Sequence, residues 1–128
     1  MKPTPMNSGL LLGGRILMSA IFLFAGYSKI TAYAATQGYM ESMGIPGGLL
    51  PLVIALELGG GLALLLGWQA RIAAVLLAGF SIVSALLFHF DFADQMQSIL
   101  FMKNLAMAGG LLFVTAAGAG ALAVGRPA

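Results

Sequence analysis

The sequence predicts an all-α protein: a transmembrane four-helix bundle with short loops. Hydrophobic residues make up 60% of its 128 residues and charged residues only 8%, whereas soluble domains carry about 25% charged residues. Four apolar segments recur along the chain, each close to the about 20 residues that one crossing of a bilayer requires. Because four crossings and their connections use the whole length, we expect residues 1–128 to form a single membrane domain.

The first predicted span covers about 9–28. One stripe along it combines polar, charged and small residues at steps of four and three, namely Arg15, Ser19, Phe22, Gly26 and Lys29. Residues at this spacing share one face of a helix. We therefore expect this face to point into the bundle.

The connection at 30–48 is the longest, and it carries a predicted interfacial helix. The segment TQGYMESMG has room for two helical turns that end at Gly44, and Pro46 follows, which is typical of a helix C-terminus. Tyr33 and Tyr39 suit the boundary between membrane and water. Two interpretations stay open: a plain interfacial connector, or a lid over a site that opens to the outer face.

The other spans are predicted at about 49–67, 71–90 and 98–118. Turn-forming stretches bound them, in order GIPGG, GWQAR, DFADQ and the tail GRPA. Connections this short place consecutive spans side by side in opposite directions.

Basic residues in the connections predict the orientation. One side carries Lys2, Arg15, Arg71 and Arg126, and the other carries Lys29 with the acids Glu41, Asp91 and Asp94. Because cytoplasmic connections are enriched in Lys and Arg, we expect both termini in the cytoplasm. A signal peptide is the alternative, since an apolar core at 16–27 precedes AYA at 32–34; cleavage there would remove the first span.

Several polar side chains lie within the predicted spans, where a charge costs about 2.5–3.5 kcal/mol on insertion scales. Such groups normally face the bundle interior and have partners, so we predict an intramembrane polar cluster that binds a ligand. Its candidate members are Arg15, Lys29, Glu57, His89, Lys103 and Asn104.

Glu57 lies near the middle of its span, and depth along the helices places Lys103 or Arg15 within reach of its carboxylate. Either Glu57 forms an ion pair that fixes helix register, or it moves protons at a site. His89 is either a water-facing ring at the interface or a donor to a ligand carbonyl that passes its proton to Asp91.

Glycines accompany this cluster, namely Gly26, Gly60, Gly61, Gly109 and Gly110. Small residues let helix backbones approach closely, so packing is one interpretation. The other is a flat slot for a ring-shaped ligand.

Cysteine is absent and histidine occurs once. This composition excludes disulfides, thiol nucleophiles, thiolate metal sites and a bis-histidine haem carried by this chain alone. We predict no metal site, no covalently bound cofactor and, without a run of Lys and Arg, no nucleic-acid partner. The isolated chain has no catalytic motif, so in redox chemistry the electrons would sit on a bound quinone or a partner protein.

Four motifs in the same order carry a family resemblance: GRILMSAIFLFAGYSKI, YMESMGIPG, LELGGGLALLLGWQAR and FMKNLAMAGGLL. They resemble the DoxX family of small four-helix membrane proteins, in particular its YqjF-like inner-membrane members. The matching positions include Arg15, Gly26, Lys29, Gly44, Pro46, Glu57, Gly60, Gly67, Arg71, His89, Lys103 and Gly110.

The resemblance implies a bacterial cytoplasmic-membrane protein. Family members are described as subunits of thiosulfate:quinone or terminal quinol oxidoreductases, or as anchors in oxidative-stress complexes. We therefore expect a quinone-binding membrane subunit whose partners are the lipid bilayer, a redox protein or a second copy of the chain. The alternatives are a non-catalytic anchor or assembly subunit, and a small proton-coupled carrier.

Overall fold

The computed structural model describes residues 4–124, and every regular element in that range is helical. The elements are α1 (Pro5–Thr31), α2 (Tyr33–Ser42), a 3-10 turn (Gly47–Leu49), α3 (Leu50–Leu66), α4 (Ala70–Phe88) and α5 (Gln95–Ala117). Four of these helices, α1, α3, α4 and α5, are long and apolar enough to cross a membrane. The prediction of an all-α bundle with four spans is confirmed for the described residues.

Two helices, α1 and α5, begin at earlier residues than hydropathy predicts, and each begins after a polar N-cap residue. The side chain of Thr4 accepts a hydrogen bond from the backbone N–H of Asn7 at 3.0 Å, so α1 begins at Pro5 instead of near residue 9. Asp94 accepts likewise from the backbone N–H of Met96 at 2.9 Å, and α5 begins at Gln95 instead of near 98. Hydropathy misses these turns because their capping residues are polar.

The helix predicted in the first connection is α2, and its end is also as predicted. Gly44 has a φ of +79°, a conformation that glycine adopts without steric cost. Its N–H donates to the carbonyl of Glu41, and the N–H of Ile45 donates to that of Met40. These two hydrogen bonds form a Schellman motif, which stops α2 and turns the chain toward α3.

The four spans form a ring in the order α1, α3, α4, α5. The most extensive contacts are α1 with α3 and α4 with α5, α3 and α4 join these pairs, and α1 and α5 share fewer contacts. The apolar core inside the ring consists of Phe22, Leu64, Ala74, Leu77, Ala78, Ala108 and Leu111. We call the end where α1 begins and α5 ends the terminal end, and the opposite one the α2 end.

The predicted inward stripe of α1 is confirmed. Arg15, Ser19, Phe22 and Gly26 are buried, and Lys29 is half-buried. On the opposite face, Leu17 is 78% exposed, as expected for a side chain that meets lipid.

Which end faces the cytoplasm stays a prediction. Lys2 and Arg126, on which that prediction partly depends, lie outside the described residues.

Candidate functional site

Arg15 closes the terminal end of the bundle. Its side chain is fully buried, at 0% exposure. The guanidinium Nη1 donates to the carbonyl oxygens of Leu64 at 3.1 Å and Leu65 at 3.0 Å, and Nη2 donates to the carbonyl of Leu122. Arg15 therefore binds the end of α3 and the segment that follows α5.

These bonds complete the C-terminus of α3. The last four carbonyls of a helix have no partner within it, and an unpaired carbonyl inside a membrane costs several kcal/mol. In α3, the carbonyl of Ala63 accepts from the N–H of Trp68 at 2.9 Å, and that of Leu66 accepts from the N–H of Val124 at 2.8 Å. Because Arg15 donates to the carbonyls of Leu64 and Leu65, each of the last four carbonyls of α3 accepts a hydrogen bond.

Glu57 pairs with Lys29. The Lys29 Nζ lies 2.8 Å from the Glu57 Oε1, and Glu57 is only 3% exposed. Within residues 4–124 no donor meets Oε1 at hydrogen-bond geometry, so we describe this contact as an ion pair held by charge. Glu57 therefore pairs with neither of the two cations that depth placed within reach, Lys103 and Arg15. Because α3 packs mainly on α1, Glu57 meets the last turn of that helix, whereas Arg15 lies about 21 Å further back along α1 and bonds to the end of α3.

A cavity of about 460 Å³ adjoins this ion pair at the α2 end. All five α-helices contribute to its walls. Its apolar lining includes Phe22, Tyr39, Phe80, Phe88, Leu100 and Met107. Phe22 belongs to the apolar core, and Phe80 and Met107 pack against that core, so the core forms the floor of the cavity.

Five of the six predicted cluster residues line this one cavity, namely Lys29, Glu57, His89, Lys103 and Asn104. The sixth, Arg15, is not among the lining residues: its Nη1 and Nη2 donate to backbone carbonyls, and its buried Nε has no hydrogen-bond partner among the described residues. Lys103 has no carboxylate within ion-pair distance in the described part of the chain. The ammonium of Lys103 therefore lines the cavity without a carboxylate among these residues to offset its charge, since the carboxylate of Glu57 pairs with Lys29.

His89 is the C-cap residue that follows α4, and its ring contacts a residue that the sequence did not indicate. Its Nδ1 lies 2.7 Å from the Oε1 of Gln97 on α5. With the amide oxygen placed there, Nδ1–H donates and Nε2 is left as an acceptor. Asp91, the predicted proton acceptor, instead accepts a hydrogen bond from the backbone N–H of Ala93.

Side chains of α2 also reach the cavity. Thr36, Tyr39 and Met40 line it, and the Tyr39 ring stacks on Phe88 with 5.5 Å between centroids. Their spacing of three and four, a helical face, was the available sequence signal. These contacts favour the lid interpretation of α2 over a plain connector.

Four of the five candidate glycines lie where neighbouring helices pack closely. A Cβ added at four of them would come close to a neighbouring helix, at Gly26 (Leu58, 2.7 Å), Gly60 (Leu77, 3.1 Å), Gly61 (Leu23, 3.0 Å) and Gly110 (Met18, 2.5 Å). A Cβ at Gly109 would meet nothing within 4 Å. Because the described residues that line the cavity include none of these five, packing is favoured over a ligand slot.

Known proteins resemble the chain over most of its length. The DoxX family model matches residues 10–90. The Escherichia coli K12 inner membrane protein YqjF is 52% identical over 116 residues, which cover 91% of this chain and 89% of that protein. Inner membrane protein YphA of the same organism is 32% identical over 124 residues, with 91% and 89% covered. No solved structure matches significantly.

Proposed function

From its place in the DoxX family, to which the chain belongs, we propose that this multi-pass inner-membrane protein binds a quinone or quinol as the membrane subunit of a redox complex. The binding site is the cavity at the α2 end. The main observation in support is that this cavity combines aromatic side chains with several polar side chains that can donate hydrogen bonds to the carbonyl oxygens of a ring.

A quinone head is a flat ring with carbonyl oxygens that accept hydrogen bonds. Lys103 and Asn104 supply donors from α5, and Lys29 supplies one from α1. The aromatic rings of Tyr39 and Phe88 offer faces for stacking. The volume of about 460 Å³ lies within the range of small-molecule sites, roughly 300–1,000 Å³.

Each polar group has its own role in this proposal. Lys103 and Asn104 bind ring oxygens, which orients the head. His89, with its tautomer set by Gln97, exchanges the proton that accompanies reduction or oxidation of the ring. Glu57 keeps Lys29 in place by charge. The electrons come from or go to the partner redox protein.

Lys103→Gln tests this proposal, because Lys103 is exposed and has no ion pair in the described residues. We expect wild-type protein in lipid nanodiscs to retain bound quinone, measured by extraction and mass spectrometry. The variant should retain about one tenth as much or less, with unchanged thermal unfolding. Arg71→Gln is the matched control: it removes a cation at the terminal end and should retain quinone normally.

Wild-type nanodiscs that neither contain quinone nor bind added quinone would contradict the proposal. That result would favour an anchor or assembly subunit. Solute flux driven by a pH gradient in vesicles would instead favour the carrier.

A further inference from the structure

One wall of the cavity is less tightly closed than the others. Neighbouring spans pack along the ring, but α1 and α5 share few contacts. Their close approaches include Gly110 against Met18 and, just after α5, Gly120 against Leu11. Both lie toward the terminal end, below the floor of the cavity. At the level of the cavity, α1 and α5 therefore border a seam.

Two side chains belong both to the cavity and to the outer surface. Ile21 of α1 lines the cavity and is nevertheless 44% exposed. Lys103 of α5 lines the cavity, is exposed, and also borders a shallow groove along α5 with Ile99 and Met102. Residues shared by two surfaces mark the edge of an opening. Ile21 and Lys103 mark its two sides, one on each helix.

This opening lies at membrane depth. Lys103 is about 12 Å along α5 from Gln95, at about 1.5 Å per residue. Large apolar side chains at the two sides of the seam are exposed, with Ile21 on α1 and Met102 on α5. An opening between such surfaces connects the cavity with lipid.

We propose that the ligand enters the cavity sideways from the bilayer, through the seam between α1 and α5. The ligand class is then an amphiphile: its polar head binds inside near Lys103, and its apolar chain stays in the lipid along the groove of α5. This inference depends on the proposed function, since the head is the quinone ring placed there.

The position of Lys103 supports this assignment. An exposed ammonium at that depth is costly unless it reaches water or a polar partner. A head group with acceptor oxygens at the seam provides such a partner. The adjoining groove extends along α5 on both sides of Lys103, from Gln95 and Ser98 to Ala106, and Ile99 and Met102 form its apolar part.

The test compares two probes that share one head: a dimethoxy-methyl-benzoquinone without a chain, and the same ring with a decyl chain. Binding of each is titrated to wild-type protein and to Ile21→Trp in nanodiscs. The added bulk narrows the seam, so we expect the decyl probe to bind at least about tenfold more weakly and the chainless probe to bind as in wild type.

Two further variants control for folding. Ile99→Trp adds bulk on the α5 side of the seam and should act like Ile21→Trp, because Ile99 borders the groove beside Lys103 and is not among the residues that line the cavity. Leu17→Trp adds the same bulk on the exposed outer face of α1 and should change neither affinity. If both probes bind but respond equally to the seam variants, or do not respond, access through the seam is overturned. If neither probe binds the wild type, the proposed function fails, and this inference fails with it.

Discussion

Each end of the bundle holds a cation inside the membrane, but the two cations have different surroundings. At the terminal end, Arg15 is fully buried and its guanidinium donates to three backbone carbonyls. At the α2 end, Lys103 borders a cavity, is exposed, and has no carboxylate within ion-pair distance in residues 4–124. Lys29 is intermediate, because Glu57 offsets its charge.

Arg15 and Lys103 both carry a positive charge, so the charge alone does not distinguish their roles. The difference lies in their hydrogen-bond partners, which make Arg15 a structural residue and leave Lys103 available to a ligand. A buried guanidinium whose two terminal nitrogens are bonded to backbone carbonyls offers no accessible donor to a ligand, and its loss costs stability. An ammonium beside a cavity keeps its donors, and its loss costs binding. Variants at the two ends should therefore separate stability from binding.

The largest effect is expected at Arg15. Arg15→Met leaves the carbonyls of Leu64, Leu65 and Leu122 without their donor. We expect the free energy of unfolding to fall by about 3 kcal/mol or more, since hydrogen bonds to charged groups contribute about 1.5–3 kcal/mol each. Unfolding in mixed detergent micelles, followed by circular dichroism, measures this loss.

Arg15→Lys is the matched control, because it keeps the charge but lacks the planar fork that reaches two carbonyls. It should recover part of the stability. An Arg15→Met variant as stable as wild type would show that the terminal end does not depend on this residue.

A smaller effect is expected for the ion pair at the α2 end. Lys29→Met and Glu57→Leu should each lower the free energy of unfolding by about 2 kcal/mol, because each leaves an unpaired charge in the bundle. The double variant should lose less than the sum, with a coupling free energy of about 1–3 kcal/mol. The same micelle unfolding measures all three variants, and strictly additive losses would argue against the pair.

The smallest effect concerns two glycines that the structure distinguishes. Gly26→Ala places a methyl group about 2.7 Å from Leu58, and overpacking of this kind typically costs about 1–3 kcal/mol. Gly109→Ala meets open space, so we expect no loss of stability and a gain of up to about 1 kcal/mol from helix propensity. Thermal unfolding of both variants is the measurement. Equal destabilisation of the two would contradict the packing account.

Much of the fold could be predicted from the sequence. Hydropathy alone indicated four spans, because lipid requires long apolar helices. Spacing by three and four identified the buried face of α1, with Arg15, Ser19, Phe22 and Gly26 inside. Gly44 followed by Pro46 predicted the end of α2. Each of these signals lies within a single segment of the chain.

The partners of the polar residues could not be predicted in the same way. Depth along each helix placed Glu57 near Lys103 and Arg15, but depth does not tell which helices are neighbours in the ring. The actual partner, Lys29, follows from the packing of α1 on α3. The carbonyls that bind Arg15 belong to the backbone. Every residue has a backbone carbonyl, so the residue types in the sequence do not identify which ones bind it.

The central claim is that the ligand site lies at the α2 end and not around Arg15. Photolabelling of nanodisc-embedded protein with an azido-quinone, followed by peptide mass spectrometry, tests it directly. We predict labels within 36–40, 80–89 and 100–107, and their loss when unlabelled quinone competes. Labels concentrated within 63–71 and 118–124, or spread over lipid-facing positions without competition, would contradict the claim.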